Sequence, residues 1–392
     1  MTPQQNPDPL NIVFLFSDTG GGHRSAATAI IEALDLEYPG RFKSKMIDLF
    51  KDYAPPPLDK APVIYPPLSR APKVWAQGYR ASDNPTRMRI LYDALWPYIR
   101  WPLRRLLRDN PCDLIVSVHP LMNAPVLRAM KHRSLPFVTV VTDLVSTHAA
   151  WFDRHADHII VPTPEARQRG LDLGVDPSRI EVIGLPVSER FSTLKVGNKP
   201  EIRARLGWAS DRPIMLLVGG GEGMGPLEDV AEAINQSCKN VSLVIVAGRN
   251  EPLKNRLEAK AWNIPARIYG FVTDMPDFMC AADILITKAG PGTISEAFIA
   301  GLPIILYSRM PGQEEGNVTY VVAHGAGVWA PTPSEVSAVV NHWTSHPALL
   351  EEVSQASCNL ARPQSARLIA RRIAEQITLP VQDIAYPDRT NN

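Results

Sequence analysis

Short apolar runs alternate with helically spaced stretches along most of the chain. Residues 11–16 (NIVFLF) form the continuous apolar run expected of a parallel strand buried on both faces. Ala26, Ala27, Ile30, Ile31 and Leu34 then recur at helical spacing across residues 24–38. Further strand-like runs lie at 43–50, 114–118, 137–141 and 158–161, separated by helical stretches such as 121–131 and 165–173. This alternation predicts a doubly wound α/β domain reaching about residue 184. Residues 184–199 carry Gly, Pro and Ser with weak periodicity and read as a linker. A second series follows, with strands at 214–218, 241–246, 266–269, 284–287 and 304–307, and helices at 227–237, 251–262, 274–281, 293–300 and 317–323. Residues 334–377 read as largely helical. No repeat of short period is visible.

A chain of 392 residues exceeds what a single core holds, so two domains are expected. The pattern divides it into 1–186, a linker at 187–199, a second domain at 200–377 and a tail at 378–392. Many of the prolines, Pro111, Pro136, Pro213, Pro265 and Pro303 among them, sit at element boundaries, where they stop helices. Cys112, Cys238, Cys280 and Cys358 are scattered without a C-x-x-C spacing; the first three read as buried thiols rather than ligands or bridges.

Charge changes the picture in one place. The net charge of +1 gives no global pull toward nucleic acid. Residues 70–108, however, hold nine Lys/Arg against two Asp, a local charge of +7, together with Trp75, Tyr79, Tyr92, Trp96, Tyr98 and Trp101. Cations interleaved with Trp and Tyr suit an anionic membrane interface. The same residues also suit a solvated helix pair with aromatic core anchors. No apolar run approaches the ~20 residues that cross a bilayer, and the N-terminus lacks the features of a signal peptide. A membrane role is therefore expected to be peripheral.

The chemistry-bearing motifs sit at strand ends. Residues 17–23 (SDTGGGH) place His23 directly after three glycines, between a strand and a helix. The motif is neither a Walker A loop nor a dinucleotide fingerprint. Glycines there let a second molecule approach the backbone, and His23 serves either as a base toward that molecule or as a structural cap. Residues 218–226 (VGGGEGMGP) open the next domain's first helix in the same way, with Gly219, Gly220 and Gly221 allowing close approach. The richest stretch is 283–316. Lys288 ends a strand, Gly290, Pro291, Gly292 and Thr293 form a turn, Glu296 lies in the following helix, and Gln313 and Glu314 occupy a loop beyond the next strand. A strand, a glycine turn and a helix N-terminus make an anion site. Glu296 is placed either to bind sugar hydroxyls or to cap its own helix. His119 in 117–120 and Asp143, His148 and Trp151 in 142–151 form further polar groups at strand ends. No cluster has metal spacing, and no Gly-x-Ser-x-Gly elbow is present.

Together these stretches resemble the monogalactosyldiacylglycerol synthases and the related processive diacylglycerol glucosyltransferases of glycosyltransferase family 28. The likeness is carried by residues 17–27, 117–122, 141–151, 184–186, 218–226 and 286–316, and it covers about residues 11–375. More distantly, the chain is similar to the lipid-linked N-acetylglucosaminyltransferase of peptidoglycan synthesis. The resemblance implies a GT-B fold, two Rossmann-like domains facing across a cleft. It implies an inverting transfer of galactose or glucose from a UDP-sugar to diacylglycerol, without a cofactor or bound metal. In it, His23 is the base, with Gly21, Gly22, His119, Asp143, His148 and Trp151 on the acceptor side. Gly290, Gly292 and Thr293 lie against the donor diphosphate and Gly219, Gly220 and Gly221 approach its phosphates. Lys288 and Pro291 are further donor-binding residues, Glu296 binds the ribose, and Gln313 and Glu314 lie by the hexose. The implied partners are UDP-galactose or UDP-glucose, diacylglycerol and a membrane surface, with anionic lipid included and nucleic acid excluded. The implied location is the cytoplasmic face of a membrane. Residues 145–147 (VST) depart from the Asn-Thr-Cys of the plant synthases. Other readings stay open: another GT-B enzyme on a UDP-sugar, either a lipid-linked N-acetylglucosaminyltransferase or a UDP-sugar epimerase, and a non-catalytic binder that keeps the cleft.

Overall fold

The computed structural model describes residues 8–18, 21–61, 72–131, 134–193 and 199–378. They form two six-stranded parallel sheets. The first runs in the order β2-β1-β3-β4-β5-β6. Its strands are β1 (Leu10–Phe16), β2 (Phe42–Asp48), β3 (Leu114–Ser117), β4 (Phe137–Val140), β5 (His158–Val161) and β6 (Ile180–Val182). The second runs β12-β11-β10-β7-β8-β9. It comprises β7 (Ile214–Val218), β8 (Ser242–Val246), β9 (Ala266–Tyr269), β10 (Ile284–Lys288), β11 (Ile304–Ser308) and β12 (Gly327–Trp329). Every residue of β3, β4, β5, β7 and β8 is buried, because helices cover both faces of each sheet.

Each sheet reverses its winding once. In the first the reversal falls between β1 and β3, and in the second between β7 and β10. The crevice outside the carboxyl ends of the strands at such a reversal is where open α/β sheets hold ligands. The glycine stretches after β1, β7 and β10 all lie at those ends.

One boundary differs from the sequence expectation. The helix Ser365–Thr378, assigned by pattern to the second domain, packs on the first. Ala366, Ile369, Ala370, Ile373 and Ala374 repeat at i, i+3, i+4, i+7, i+8 and join Ile12, Phe14 and Ile30 in one core. Arg367 and Arg371 reach Glu37 at 3.1 and 2.6 Å, and Arg372 reaches Glu181 at 2.7 Å. The chain therefore crosses between the domains twice, near 184–199 and near 361–365. At the crossing, Gly184 adopts φ +133, and a Cβ there would lie 2.9 Å from the Arg362 Cβ. Ser365 Oγ donates to the Leu185 carbonyl at 2.5 Å. Residues 194–198 of the expected linker and 379–392 of the expected tail lie outside the described residues, as do Thr19, Gly20 and Arg70.

The basic-aromatic segment forms the helices Pro72–Ser82 and Pro85–Asp109, the second with Pro97 and Pro102 inside it. Leu103, Leu106 and Leu107 anchor the second helix in the core, while Val74, Ile90, Leu91, Tyr98 and Trp101 are exposed. Among the described residues no helix is long and apolar enough to cross a membrane.

Candidate active site

On the second domain, β10 ends at Lys288, and the helix Pro291–Ala300 follows with Gly290 as its N-cap. The expected turn at 290–293 is thus mostly the first turn of a helix, with proline at its favoured first position. No side chain caps this helix, so its leading N–H groups are open to an anion. A Cβ on Gly292 would meet nothing within 4 Å. A Cβ on Gly290 would lie 3.2 Å from Lys288 Nζ, and one on Gly220 would lie 3.3 Å from Lys288 Cε. The lysine side chain therefore runs between the two glycine stretches. Gly219 serves its own loop, since a Cβ there would stand 2.8 Å from the Gly223 Cα. Gly221 lies beside Arg249.

Glu314 is buried, and both of its oxygens are engaged. Oε1 receives Lys288 Nζ at 2.6 Å, and Oε2 receives the Met310 N–H at 2.7 Å. These bonds pin the loop that follows β11 against the end of β10. Asn317, which the sequence reading did not single out, donates from Nδ2 to the Ala289 carbonyl at 2.9 Å and so fixes the backbone just before Gly290. No spacing rule marks that asparagine. Glu296 lies one turn beyond Gly292, partly buried. Burial pushes its carboxyl up to about 8, with no cation opposing the shift. Glu296 does not cap the helix.

On the first domain, Gly21 and Gly22 open the helix Gly21–Glu37, and His23 follows in its first turn. His23 Nδ1 lies 2.9 Å from Thr142 Oγ1. Its ring meets the buried His119 edge-on at 4.7 Å and stands 6.2 Å from Trp151. Burial lowers the His23 pKa to about 4, against an opposing backbone hydrogen bond to Val118. The His119 pKa is also held well below the usual histidine value by burial and by His23. Both imidazoles are therefore neutral at physiological pH. Asp143 is 5% exposed, and its Oδ2 accepts from Trp151 Nε1 at 2.6 Å. Burial and the nearby Glu314 raise Asp143 to about 6, while hydrogen bonds from Trp151 and Gln313 hold it back.

His148 stands apart from this group. Its Nδ1 accepts from the Ala150 N–H, its Nε2 lies 3.1 Å from Ser82 Oγ, and its ring packs on Tyr79. It holds the helix Pro72–Ser82 to the domain rather than joining His23.

The two walls meet along a seam. Gln313 Nε2 donates to Asp143 Oδ1 at 3.1 Å, and the Gly316 N–H donates to Ser146 Oγ at 2.7 Å. Tyr79 Oη donates to the Ser146 carbonyl at 2.8 Å, and Arg80 pairs with Glu315 at 3.1 Å. Residues 145–147, where the chain departs from the plant motif, thus lie at the contact between domains. Among the described residues no three His, Cys, Asp or Glu side chains group to hold a metal.

Comparison with known proteins agrees with this two-walled arrangement. Residues 23–187 match the monogalactosyldiacylglycerol synthase family, and 214–374 match the glycosyltransferase family 28 C-terminal domain. A rice (Oryza sativa subsp. japonica) protein described as probable monogalactosyldiacylglycerol synthase 2, chloroplastic, is 39% identical over 377 residues, covering 93% of this chain and 80% of its own. Monogalactosyldiacylglycerol synthase 3 of Arabidopsis thaliana is 37% identical over 374 residues, covering 92% and 80%. In fold, the chain is similar to Acinetobacter baumannii MurG, with a TM-score of 0.61 at 16% identity over 94% of this chain and all of that one. It is similar also to the calicheamicin glycosyltransferase CalG4, with a TM-score of 0.60 at 15% identity over 96% of this chain and all of that one. The architecture is the GT-B fold.

Proposed function

The chain belongs to the monogalactosyldiacylglycerol synthase family, and on that premise we propose that it moves galactose from UDP-galactose to the free hydroxyl of diacylglycerol, with inversion, at the seam between its two sheets. The observation that carries the site reading is the Asp143–Gln313 bond, which joins the wall bearing His23 to the wall bearing the uncapped helix Pro291–Ala300. The donor diphosphate lies on the N–H groups of Gly292 and Thr293 with Lys288 beside it. Glu296 takes the ribose hydroxyls, and Gln313 takes the hexose.

The reaction is one displacement. The acceptor oxygen bonds to the anomeric carbon as its proton passes to His23, and the bond from that carbon to the diphosphate oxygen breaks. UDP leaves with the electron pair. Its growing charge is stabilised by the helix N-terminus and by Lys288. A neutral imidazole is the correct protonation state for a base. Glu314 joins the hexose site as the partner that holds Lys288 and pins the loop.

The acceptor is a lipid, and the helix Pro85–Asp109 supports a peripheral approach to its membrane. At ~100° per residue, Ile90, Leu91, Tyr98 and Trp101 fall on one side of the helix, with Arg105 and Arg108 beside them. Arg100 and Arg104 flank the Trp101 ring at 5.5 and 5.4 Å. That face suits anionic headgroups on a cytoplasmic leaflet.

The test is purified protein with diacylglycerol vesicles, given UDP-galactose and UDP-glucose in parallel and with products identified by mass and sugar analysis. Monogalactosyl lipid is expected, with His23→Ala lowering kcat ~10²–10⁴-fold while donor binding persists. Release of free sugar alone, or epimerised UDP-sugar, would overturn the assignment.

A further inference from the structure

We propose that Asp143 is a specificity-positioning residue for the donor hexose, acting from the His23 wall to fix which end of the Gln313 carboxamide faces the sugar. The proposal rests on the reading of Gln313 as the hexose contact. It moves Asp143 from the acceptor side of the site to the donor side.

The argument starts from donor and acceptor inventories. An ionised carboxylate only accepts, whereas a carboxamide is donor at one end and acceptor at the other, and the two ends have nearly the same shape. Without a fixed partner, Gln313 could present either end to a ligand. Asp143 removes that freedom. Its Oδ2 is held by Trp151 Nε1, and Trp151 is wholly buried, so the carboxylate cannot turn. Oδ1 is left facing the second domain, where only an N–H can meet it. Gln313 Nε2 does so at 3.1 Å. The Gln313 carbonyl oxygen is therefore the end left for a sugar hydroxyl, with one N–H beside it. Glu314 brings a second carboxylate close to Asp143, but Lys288 pairs with it at 2.6 Å and offsets the repulsion.

The two residues belong to different domains, 170 positions apart in sequence. The hexose-reading geometry therefore exists only while the domains are together. In an open molecule Gln313 turns freely, and recognition of the sugar is assembled by closure.

Asp143→Asn separates the possibilities. The new side chain has one acceptor facing two donors. Trp151 cannot move, so the amide oxygen goes to Trp151 and the amide nitrogen faces position 313. Gln313 must then flip and show its N–H end to the sugar. The expected result is a rise in KM for UDP-galactose of about ten- to a hundred-fold, and a changed preference between UDP-galactose and UDP-glucose. Affinity for UDP alone, read by calorimetry, and the KM for diacylglycerol stay unchanged. Gln313→Glu alone sets two carboxylates against each other and fails similarly. The double variant Asp143→Asn/Gln313→Glu restores an N–H between the residues and an acceptor toward the sugar. It should recover at least about tenfold over either single change, a coupling that a merely structural aspartate would not give. Melting curves for each variant register any loss of fold. The proposal is overturned if Asp143→Asn changes only the diacylglycerol KM, lowers kcat with the donor KM intact, or is not rescued by the second change. Wild-type protein that makes no galactosyl lipid sinks the functional reading instead.

Discussion

Glu296 occupies its position against its own ionisation. Its carboxyl titrates near 8 in the folded protein, against about 4.3 in an unfolded chain. Between those values the native state keeps a proton that the unfolded state has released. Stability from this group therefore falls as pH rises through that window, and the cost is complete above 8. Glu296→Gln removes the cost. It should raise the melting temperature more at pH 8 than at pH 5, while Glu296→Ala, which removes the hydrogen-bonding group altogether, should raise the donor KM at least about tenfold. A glutamine variant that melts below wild type at pH 8 would count against the ionisation cost, and an alanine variant that binds donor normally would count against the ribose contact. The sequence marked Glu296 as a polar residue just past a helix start. It could not tell capping from ligand binding, because that depends on whether the first turn already has a cap. His23 was legible as a candidate for a simpler reason, since it follows three glycines between a strand and a helix, a place that serves a base and a cap alike. Asn317 carried no such signal: its job is to hold one carbonyl 28 positions away.

At the scale of elements, strands with both faces buried announced themselves as apolar runs. β6 and β12 did not, because three residues are too few to show a pattern. The helix expected at 293–300 begins at Pro291, and its first two positions were read as part of a turn through their Pro-Gly pair, although proline at the first helical position is a start signal as much as a stop. The basic-aromatic segment was legible as a composition but not as a face. Trp96 turns toward the core with Arg128 over its ring at 4.3 Å, and Tyr79 goes to the domain seam, while Tyr98 and Trp101 stay exposed. The core-anchor reading thus fits Trp96, while the exposed Tyr98 and Trp101 are the residues on which the membrane reading is to be tested. If the exposed face docks on a bilayer, Trp101→Ala combined with Ile90→Ser should weaken co-sedimentation with vesicles about tenfold or more. Replacing Arg104 and Arg108 by Gln should remove only the preference for anionic vesicles. Unchanged sedimentation of both variants would leave the helix a solvated one.

At the scale of the whole molecule, the two sheets were foreseeable and their contact was not. Asp143–Gln313 and Ser146–Gly316 each join residues 170 apart, and no local pattern records such pairs. Gly316 shows how tight the seam is. A Cβ there would stand 2.6 Å from Ser146 Oγ and 2.9 Å from Val145 Cγ1. Gly316→Ala should hold the domains apart, giving a larger radius of gyration with UDP bound and a slower transfer relative to donor hydrolysis; scattering and product ratios test it. The double crossing of the chain was also hidden, since helical periodicity at 365–378 shows an apolar face but not which sheet it covers. That helix has a consequence for how the protein is made. Synthesis runs from N- to C-terminus, yet one face of the first sheet waits for Ile369 and Ile373, which come after the whole second sheet. The core of the first domain is begun before the second sheet and closed after it. A chain that stops between the second sheet and residue 365 carries both sheets but an unsealed core on the first.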